Sequence, residues 1–280
     1  MTRADLLVLL AALIWGLAYL AQKTAMTDVG PIAFVASRAT VACLVLLPFA
    51  LREGGPRPWG FMALGGLAFL AAAGIQQLGI VTASVTNTAF LTALYVIVAP
   101  ILAFLVWRRM AGWQVWTGAA LALAGAFALA GGRLDSFGTG DWLVAASAVG
   151  WAVYMLVTER AGSHARPLSY TAGVFATVAL LAWPLALARG EALPGPGALP
   201  EILFVGIFSS ALTFGLMAIA MRQISAPRAA ILLASEAVFA AVGAALLLGE
   251  RMGVFGWAGA ALILAAVILV QMPQRSAKSP

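Results

Sequence analysis

The sequence predicts an all-α polytopic membrane protein with ten transmembrane helices, arranged as two inverted five-helix repeats. Three observations carry this. The 280 residues are 63% hydrophobic and only 9% charged, against about 25% charged in an ordinary soluble domain. The apolar residues fall into ten continuous runs, each close to the roughly 20 residues that cross about 30 Å of hydrocarbon. The second half of the chain also repeats the first. With so few charges, a soluble fold of this size cannot cover its surface. A disulfide scaffold is excluded because Cys43 is the only cysteine, and the apolar content excludes disorder.

The spans are read at residues 5–25, 31–51, 59–80, 84–106, 113–131, 140–159, 167–188, 199–221, 227–248 and 254–271. Gly, Pro and charge separate them, as in Arg52-Glu53-Gly54-Gly55-Pro56-Arg57-Pro58 and Pro194-Gly195-Pro196-Gly197. The runs are continuous and do not alternate every second residue, which argues against a β-barrel. The first span resembles a signal peptide in position. It is long, ends in Gln22-Lys23-Thr24 without a small-x-small cleavage pattern, and reads as a retained helix.

Basic residues predict the orientation. Eleven Lys and Arg fall at the start of the first span, in the loops after even-numbered spans and in the tail, among them Arg3, Arg52, Arg57, Arg108, Arg109, Arg275 and Lys278. Four fall on the other side (Lys23, Arg133, Arg189 and Arg251), and Arg38 lies inside a span. That excess places both termini in the cytoplasm. The net charge of +6 is therefore a topology signal. No basic stripe with interleaved aromatics suggests nucleic-acid binding.

Residues 1–134 and 137–280 form the two repeats. Asp5 aligns with Asp141, Trp15 with Trp151, Ala25 with Ala161, Pro31 with Pro167, Pro48 with Pro184 and Gly54 with Gly190. At a slightly larger offset, Gly65 aligns with Gly206, Gly74 with Gly215 and Ser84 with Ser225. Trp116-Thr117-Gly118-Ala119-Ala120-Leu121 likewise aligns with Trp257-Ala258-Gly259-Ala260-Ala261-Leu262. Five spans per half is an odd number, so the second copy enters the membrane from the opposite side. Inverted repeats mark alternating-access transporters, with substrate sites near the midplane where the repeats meet.

The five-plus-five pattern, the Trp15-Gly16 opening and the stretch from Leu246-Leu247-Leu248-Gly249-Glu250-Arg251 to Trp257-Ala258-Gly259-Ala260-Ala261-Leu262 resemble the EamA family of the drug/metabolite transporter superfamily. The resemblance covers nearly the whole chain. It implies a central cavity lined by the first four helices of each half, the fifth and tenth helices at the periphery, and export of small metabolites, often amino acids. One departure is plain: Glu250 has no acidic counterpart in the first half, where Trp107-Arg108-Arg109 stands.

Arg38 and Glu236 are the charged residues well inside spans. Each costs on the order of 2.5–3.5 kcal/mol at a helix centre, so neither is expected to face lipid. The helical rise puts their depths within about 5 Å of each other. A structural ion pair is one reading. The others are charge recognition of a zwitterionic substrate and a proton-coupling carboxylate at Glu236. Trp15 and Trp151 sit at mid-span and are repeat mates, with Tyr19 and Tyr154 on the same helix faces. They suit either helix packing or an aromatic cavity wall, as does Tyr95, the repeat counterpart of Glu236. Gln76, Gln77 and Asn87 read as interhelical glue or as lining of an aqueous vestibule. Ser209, Ser210 and Thr213 line the pathway or bond to their own helix. Gly65, Gly74, Gly206 and Gly215 read as close-packing positions or pivots, and Pro48 and Pro184 as bends.

His164, the only histidine, reads as a solvated loop residue. No metal-ligand cluster, P-loop or hydrolase elbow appears, so neither a metal nor a cofactor is expected, and an intramembrane enzyme or a passive scaffold is disfavoured. The expected partners are a small-molecule substrate, the lipid bilayer and protons. The expectation is a secondary transporter of a bacterial plasma membrane that exports amino acids, with lipophilic drugs or nucleobases as the alternative cargo.

Overall fold

The computed structural model describes residues 1–132, 138–248 and 253–272. Arg133, the Gly249-Glu250-Arg251 motif, Arg275, Lys278 and the expected repeat boundaries lie outside the described residues. The architecture is helical throughout the described chain. In order, the helices are α1 (Arg3–Ala25), α2 (Pro31–Glu53), α3 (Trp59–Ile80), α4 (Val85–Thr92), α5 (Tyr95–Trp107), α6 (Trp113–Leu129), α7 (Thr139–Ala161), α8 (Pro167–Ala188), α9 (Leu199–Phe204), α10 (Thr213–Ala220), α11 (Ala226–Leu233), α12 (Glu236–Leu248) and α13 (Val254–Gln271). A π-helix over Val205–Leu212 joins α9 to α10. Grouped as continuous spans, these give the ten expected crossings. Among the described residues, nine are long and apolar enough to cross a membrane, and the remaining one, α6, is a shorter apolar helix.

Two spans that read as single helices are each interrupted once, at matched positions. Between α4 and α5, Leu94 N–H bonds to the Leu91 carbonyl and Val96 N–H to that of Ala93. Between α11 and α12, Ser235 N–H bonds to Leu232 and Ala237 N–H to Ala234. The bonding thus tightens from i−4 to i−3 for one turn in each half. Proline is not the shared cause, because Pro100 is matched by Ala241. The consequence is positional: Tyr95 and Glu236 become the first residues of their half-helices. α2 and α8 run unbroken past Pro48 and Pro184. Gly54 and Gly190, repeat mates, close these two helices with φ of +64° each, a backbone region that suits glycine.

Repeat mates pack across a pseudo-two-fold axis. α2 lies along α8, α6 along α13, and the α3–α7 contact is mirrored by α1 against α9, the π-helix and α10. The mates run antiparallel, as their ends show. Glu53, at the end of α2, accepts the Ser169 N–H at 2.8 Å at the start of α8. Glu191, just past α8, accepts the Ile32 and Ala33 N–H groups at 2.7 and 2.9 Å at the start of α2. Each carboxylate thereby satisfies otherwise orphaned helix donors.

Small residues permit the close approach. A β-carbon at Gly125 would lie 2.7 Å from the Gly259 carbonyl oxygen, so α6 and α13 meet backbone to backbone. At Gly206 it would lie 2.6 Å from Val41, whereas Gly74 and Gly215 have ordinary contact distances around them. Close packing therefore explains Gly206 but neither Gly74 nor Gly215. Outward-facing leucines complete the membrane surface: the repeat mates Leu44 and Leu180 are 63% and 73% exposed. Trp59, Trp113, Trp142 and Trp257 are exposed near span ends, as an aromatic belt requires.

Candidate functional site

The helices line a cavity of about 50 Å³ where the two repeats meet. Its fourteen lining residues are Trp15, Tyr19, Gln22, Arg38, Gln76, Thr92, Tyr95, Trp151, Met155, Ser209, Phe214, Met217, Leu233 and Glu236. None comes from α6 or α13, which stay peripheral. Both intramembrane charges are therefore in the cavity wall, buried to 3% (Arg38) and 2% (Glu236) exposure.

Neither charge neutralises the other. Among the described residues no ion pair joins Arg38 to Glu236, which removes the structural ion-pair reading. Arg38 Nε donates to Ser210 Oγ at 2.9 Å and Nη1 donates to Gln22 Oε1 at 3.1 Å, while the guanidinium carbon lies 5.8 Å from the Phe69 ring centroid. Glu236 Oε1 accepts the Tyr19 hydroxyl at 3.2 Å and the Tyr95 hydroxyl at 3.1 Å. The interrupted spans explain this convergence. The break before Tyr95 and the break before Glu236 bring the two mates to opposite sides of one hydrogen bond, with Tyr19 on α1 as the second donor. Each charge is solvated by neutral dipoles, a costly arrangement for a buried ion.

The remaining walls divide by chemistry. Gln76 Nε2 donates to Thr92 Oγ1 at 2.7 Å on the polar side. On the aromatic side Phe214 lies at the centre, 4.7 Å from the Trp15 ring and stacked at 5.9 Å on Trp151. Phe69 meets Trp151, Tyr154, Phe175 and Phe214 edge-on at 5.0 to 5.6 Å. Trp15 Nε1 donates to the Ser209 carbonyl at 2.9 Å, tying α1 to the π-helix.

Of the residues singled out from sequence, Trp15, Tyr19, Arg38, Gln76, Tyr95, Trp151, Ser209 and Glu236 line the cavity. Five do not. Ser210 instead holds Arg38, and Thr213 donates to the Ser209 carbonyl of its own span at 2.8 Å. Gln77 donates to the Gln22 carbonyl and Met26 sulfur. Tyr154 is buried in the aromatic cluster behind the wall. Asn87 Nδ2 donates to Asp141 Oδ1 at 2.9 Å, joining α4 to α7 away from the cavity. Sequence reasoning missed Gln22, Thr92, Met155, Phe214, Met217 and Leu233. A usable signal existed for two of them: Met155 and Met217 are the repeat mates of Tyr19 and Gln76.

The Asn87–Asp141 contact has a counterpart at the face where the chain begins. Asp5, mate of Asp141, receives Arg228, mate of Asn87, in a two-pronged pair: Nε to Oδ1 at 3.1 Å and Nη2 to Oδ2 at 2.9 Å. The same symmetry relates Lys23 to Glu159. Lys23 Nζ donates to the Ile80, Val81 and Ala83 carbonyls at 2.7 to 3.0 Å, and Glu159 Oε2 accepts the Ala226 N–H at 2.7 Å. His164 is exposed and contacts Ser163 and the Arg160 carbonyl. Among the described residues no group of three or more His, Cys, Asp or Glu is placed to hold a metal.

Comparison with known proteins agrees with the fold. The sequence is similar to an uncharacterized transporter of Archaeoglobus fulgidus, 28% identical over 96% of this chain and 86% of that one. It is similar to the uncharacterized transporter YwfM of Bacillus subtilis, 27% identical over 98% and 96%. A shorter match, 34% identical over 41% of this chain and 39% of the other, is to the threonine/homoserine exporter RhtA of Escherichia coli. One crystal structure shares the fold with a TM-score of 0.78 at 21% identity, covering 96% of both chains. The profile of the EamA-like transporter family matches twice, over residues 2–131 and 138–272, once for each half. Two matches that together span nearly the whole chain, on a fold with five spans per half, place this protein in the EamA-like transporter family.

Proposed function

We propose that the protein is a secondary transporter that exports a small neutral amino acid across a bacterial plasma membrane by alternating access. The observation that carries this is the disposition of Arg38 and Glu236, which share one cavity and are each held by neutral partners. A zwitterion offers a carboxylate to the first and an ammonium to the second. A lipophilic cargo would use neither, leaving two desolvated charges without a purpose. The similarity to an exporter of threonine and homoserine supports the substrate class and the direction. The positive-inside excess supports cytoplasmic termini.

Alternating access would part the walls at the repeat interface, where the cavity lies. The test is transport into proteoliposomes with a panel of labelled amino acids. Counterflow of at least one neutral amino acid, abolished in Arg38→Met, is the expected result. No flux of any panel member with verified insertion would overturn the reading.

A further inference from the structure

The cavity's hydrogen-bond inventory identifies which end of a substrate it lacks. Most donors facing it are already engaged. The Trp15 N–H is held by the Ser209 carbonyl, the Tyr19 and Tyr95 hydroxyls by Glu236, an amide N–H of Gln76 by Thr92, and two guanidinium nitrogens of Arg38 by Ser210 and Gln22. Of the rest, Trp151 Nε1 and Ser209 Oγ are fully buried and have no hydrogen-bond partner, although both residues line the cavity. A buried donor without a partner is uncommon and calls for an explanation. Ser209 is 1% exposed, in the π-helix next to the serine that holds Arg38. Wide π turns of this kind are frequent at functional sites. Trp151 packs edge-on to Phe69, whose ring also lies beneath the Arg38 guanidinium. Both unused donors therefore share the cavity wall with Arg38, one beside the serine that holds it and the other against the same Phe69 ring.

We infer that Trp151 Nε1–H and Ser209 Oγ–H, together with the guanidinium hydrogens of Arg38 that remain free, form the subsite for the carboxylate of the transported amino acid. This rests on the amino-acid reading above and adds the donors that select a carboxylate. It also sets the substrate's orientation. With the carboxylate at Ser209 and Trp151, the ammonium faces Glu236, and the side chain lies against Met155, Met217 and Leu233. Both donors can be removed without breaking a hydrogen bond of the fold, since neither makes one.

The test uses proteoliposomes with labelled leucine and threonine as probes and their decarboxylated amines, 3-methylbutylamine and 1-aminopropan-2-ol, as competitors. Ser209→Ala and Trp151→Phe are each expected to raise the half-saturation concentration for the transported amino acid about tenfold, as loss of one hydrogen bond to a charged group does. The amine should compete at least about tenfold more weakly than the amino acid against the native protein, and its inhibition constant should be the same in the variants. Ser209→Ala should also keep the native melting temperature, which separates a binding role from a packing one. If Trp151→Phe does not fold, Ser209→Ala alone decides. Unchanged half-saturation in the folded variants, or amines that compete as well as their parent amino acids, would overturn the subsite while leaving the transport reading intact. Absence of flux for both probes and for every other neutral amino acid of the panel in the native protein would overturn the reading beneath it.

Discussion

The two halves of the chain present the same helix positions to the cavity with different chemistry. Tyr19, Gln76 and Thr92 of the first half are matched by Met155, Met217 and Leu233 of the second. Trp15 and Trp151 keep their identity, and Tyr95 is matched by Glu236. One wall is thus polar and its mate apolar, with one acid placed across the axis among the first half's hydroxyls. A symmetric pair of repeats would bind a substrate in two equivalent orientations. On the proposed reading, the divergence of mates would leave one orientation, as recognition of an asymmetric molecule by a pseudo-symmetric scaffold requires. The same divergence separates the two faces. Where the chain begins, Asp5 and Arg228 make a charged, two-pronged tie, whereas their mates Asp141 and Asn87 make a single neutral-to-charged hydrogen bond.

The largest effect is expected where that contrast is sharpest. Glu236→Gln removes the acid and leaves a group closer in charge to its mate Tyr95. Loss of a charged recognition group is worth about 1.5–3 kcal/mol, so amino-acid flux at low substrate should fall by roughly 10- to 100-fold. Flux measured in proteoliposomes at matched protein levels decides this, and native rates would remove Glu236 from the mechanism. Next in size is the exchange of a wall residue for its mate. Gln76→Met leaves the Thr92 hydroxyl without its 2.7 Å partner and makes the polar wall resemble the apolar one. A loss of about tenfold in apparent affinity is expected, with the preference order among panel members kept, because the side chain lies against the opposite, apolar wall. A preference shifted toward the most apolar side chains would mean that the polar wall reads the side chain instead.

How far the sequence disclosed this arrangement follows from what each residue costs. Arg38, Glu236 and the midplane aromatics are legible because polar or bulky groups inside apolar runs are expensive and so require a partner or a cavity. The repeat is legible because Pro, Gly and Trp stand out against a low-diversity apolar background. The breaks at Ala93–Leu94 and Ala234–Ser235 are not, since neither dipeptide contains Gly or Pro and the local change is a shift from i−4 to i−3 bonding. The π-helix is hidden too, because its widening is a change of backbone bonding that Gly206, read as a close-packing position, does not announce. Met155, Phe214, Met217 and Leu233 carry no sign of their own, because an apolar wall residue looks like any packing residue. Gln22 reads as the polar end of a span, yet it reaches inward to Arg38.

The two faces can be compared by breaking their ties. Arg228→Ala strips the buried Asp5 carboxylate of both guanidinium bonds and leaves it the Thr2 N–H at 2.7 Å. A loss of about 2 kcal/mol is expected, against about 1 kcal/mol for Asn87→Ala. Melting temperatures in detergent would show the order. The functional consequence is directional. If parting the walls at the chain-start face breaks the Asp5–Arg228 pair, Arg228→Asn brings the two ties closer to equal strength and shifts the population toward opening at that face. A difference of about 1 kcal/mol corresponds to roughly fivefold. Labelling of a cysteine introduced at the chain-start face of α11, with Cys43 replaced by alanine, reads this shift. Equal labelling before and after would show that the pair does not gate.

The smallest effect belongs to the reciprocal caps, where the two halves agree most closely. Glu53 receives the first donors of α8, and Glu191 those of α2, so Glu53→Gln and Glu191→Gln should each cost about 0.5–1 kcal/mol of stability. Glu191 has one further partner, Arg189 Nε at 2.9 Å, but that arginine is 47% exposed and adds little through solvent screening. The two substitutions should therefore lower the melting temperature alike and leave apparent affinity unchanged, because neither carboxylate reaches the cavity. A drop for Glu191→Gln well beyond that for Glu53→Gln would mean that Arg189 contributes more than its exposure allows. A change in affinity for either would mean that the α2–α8 contact moves during transport, placing the hinge at the ends of these two helices.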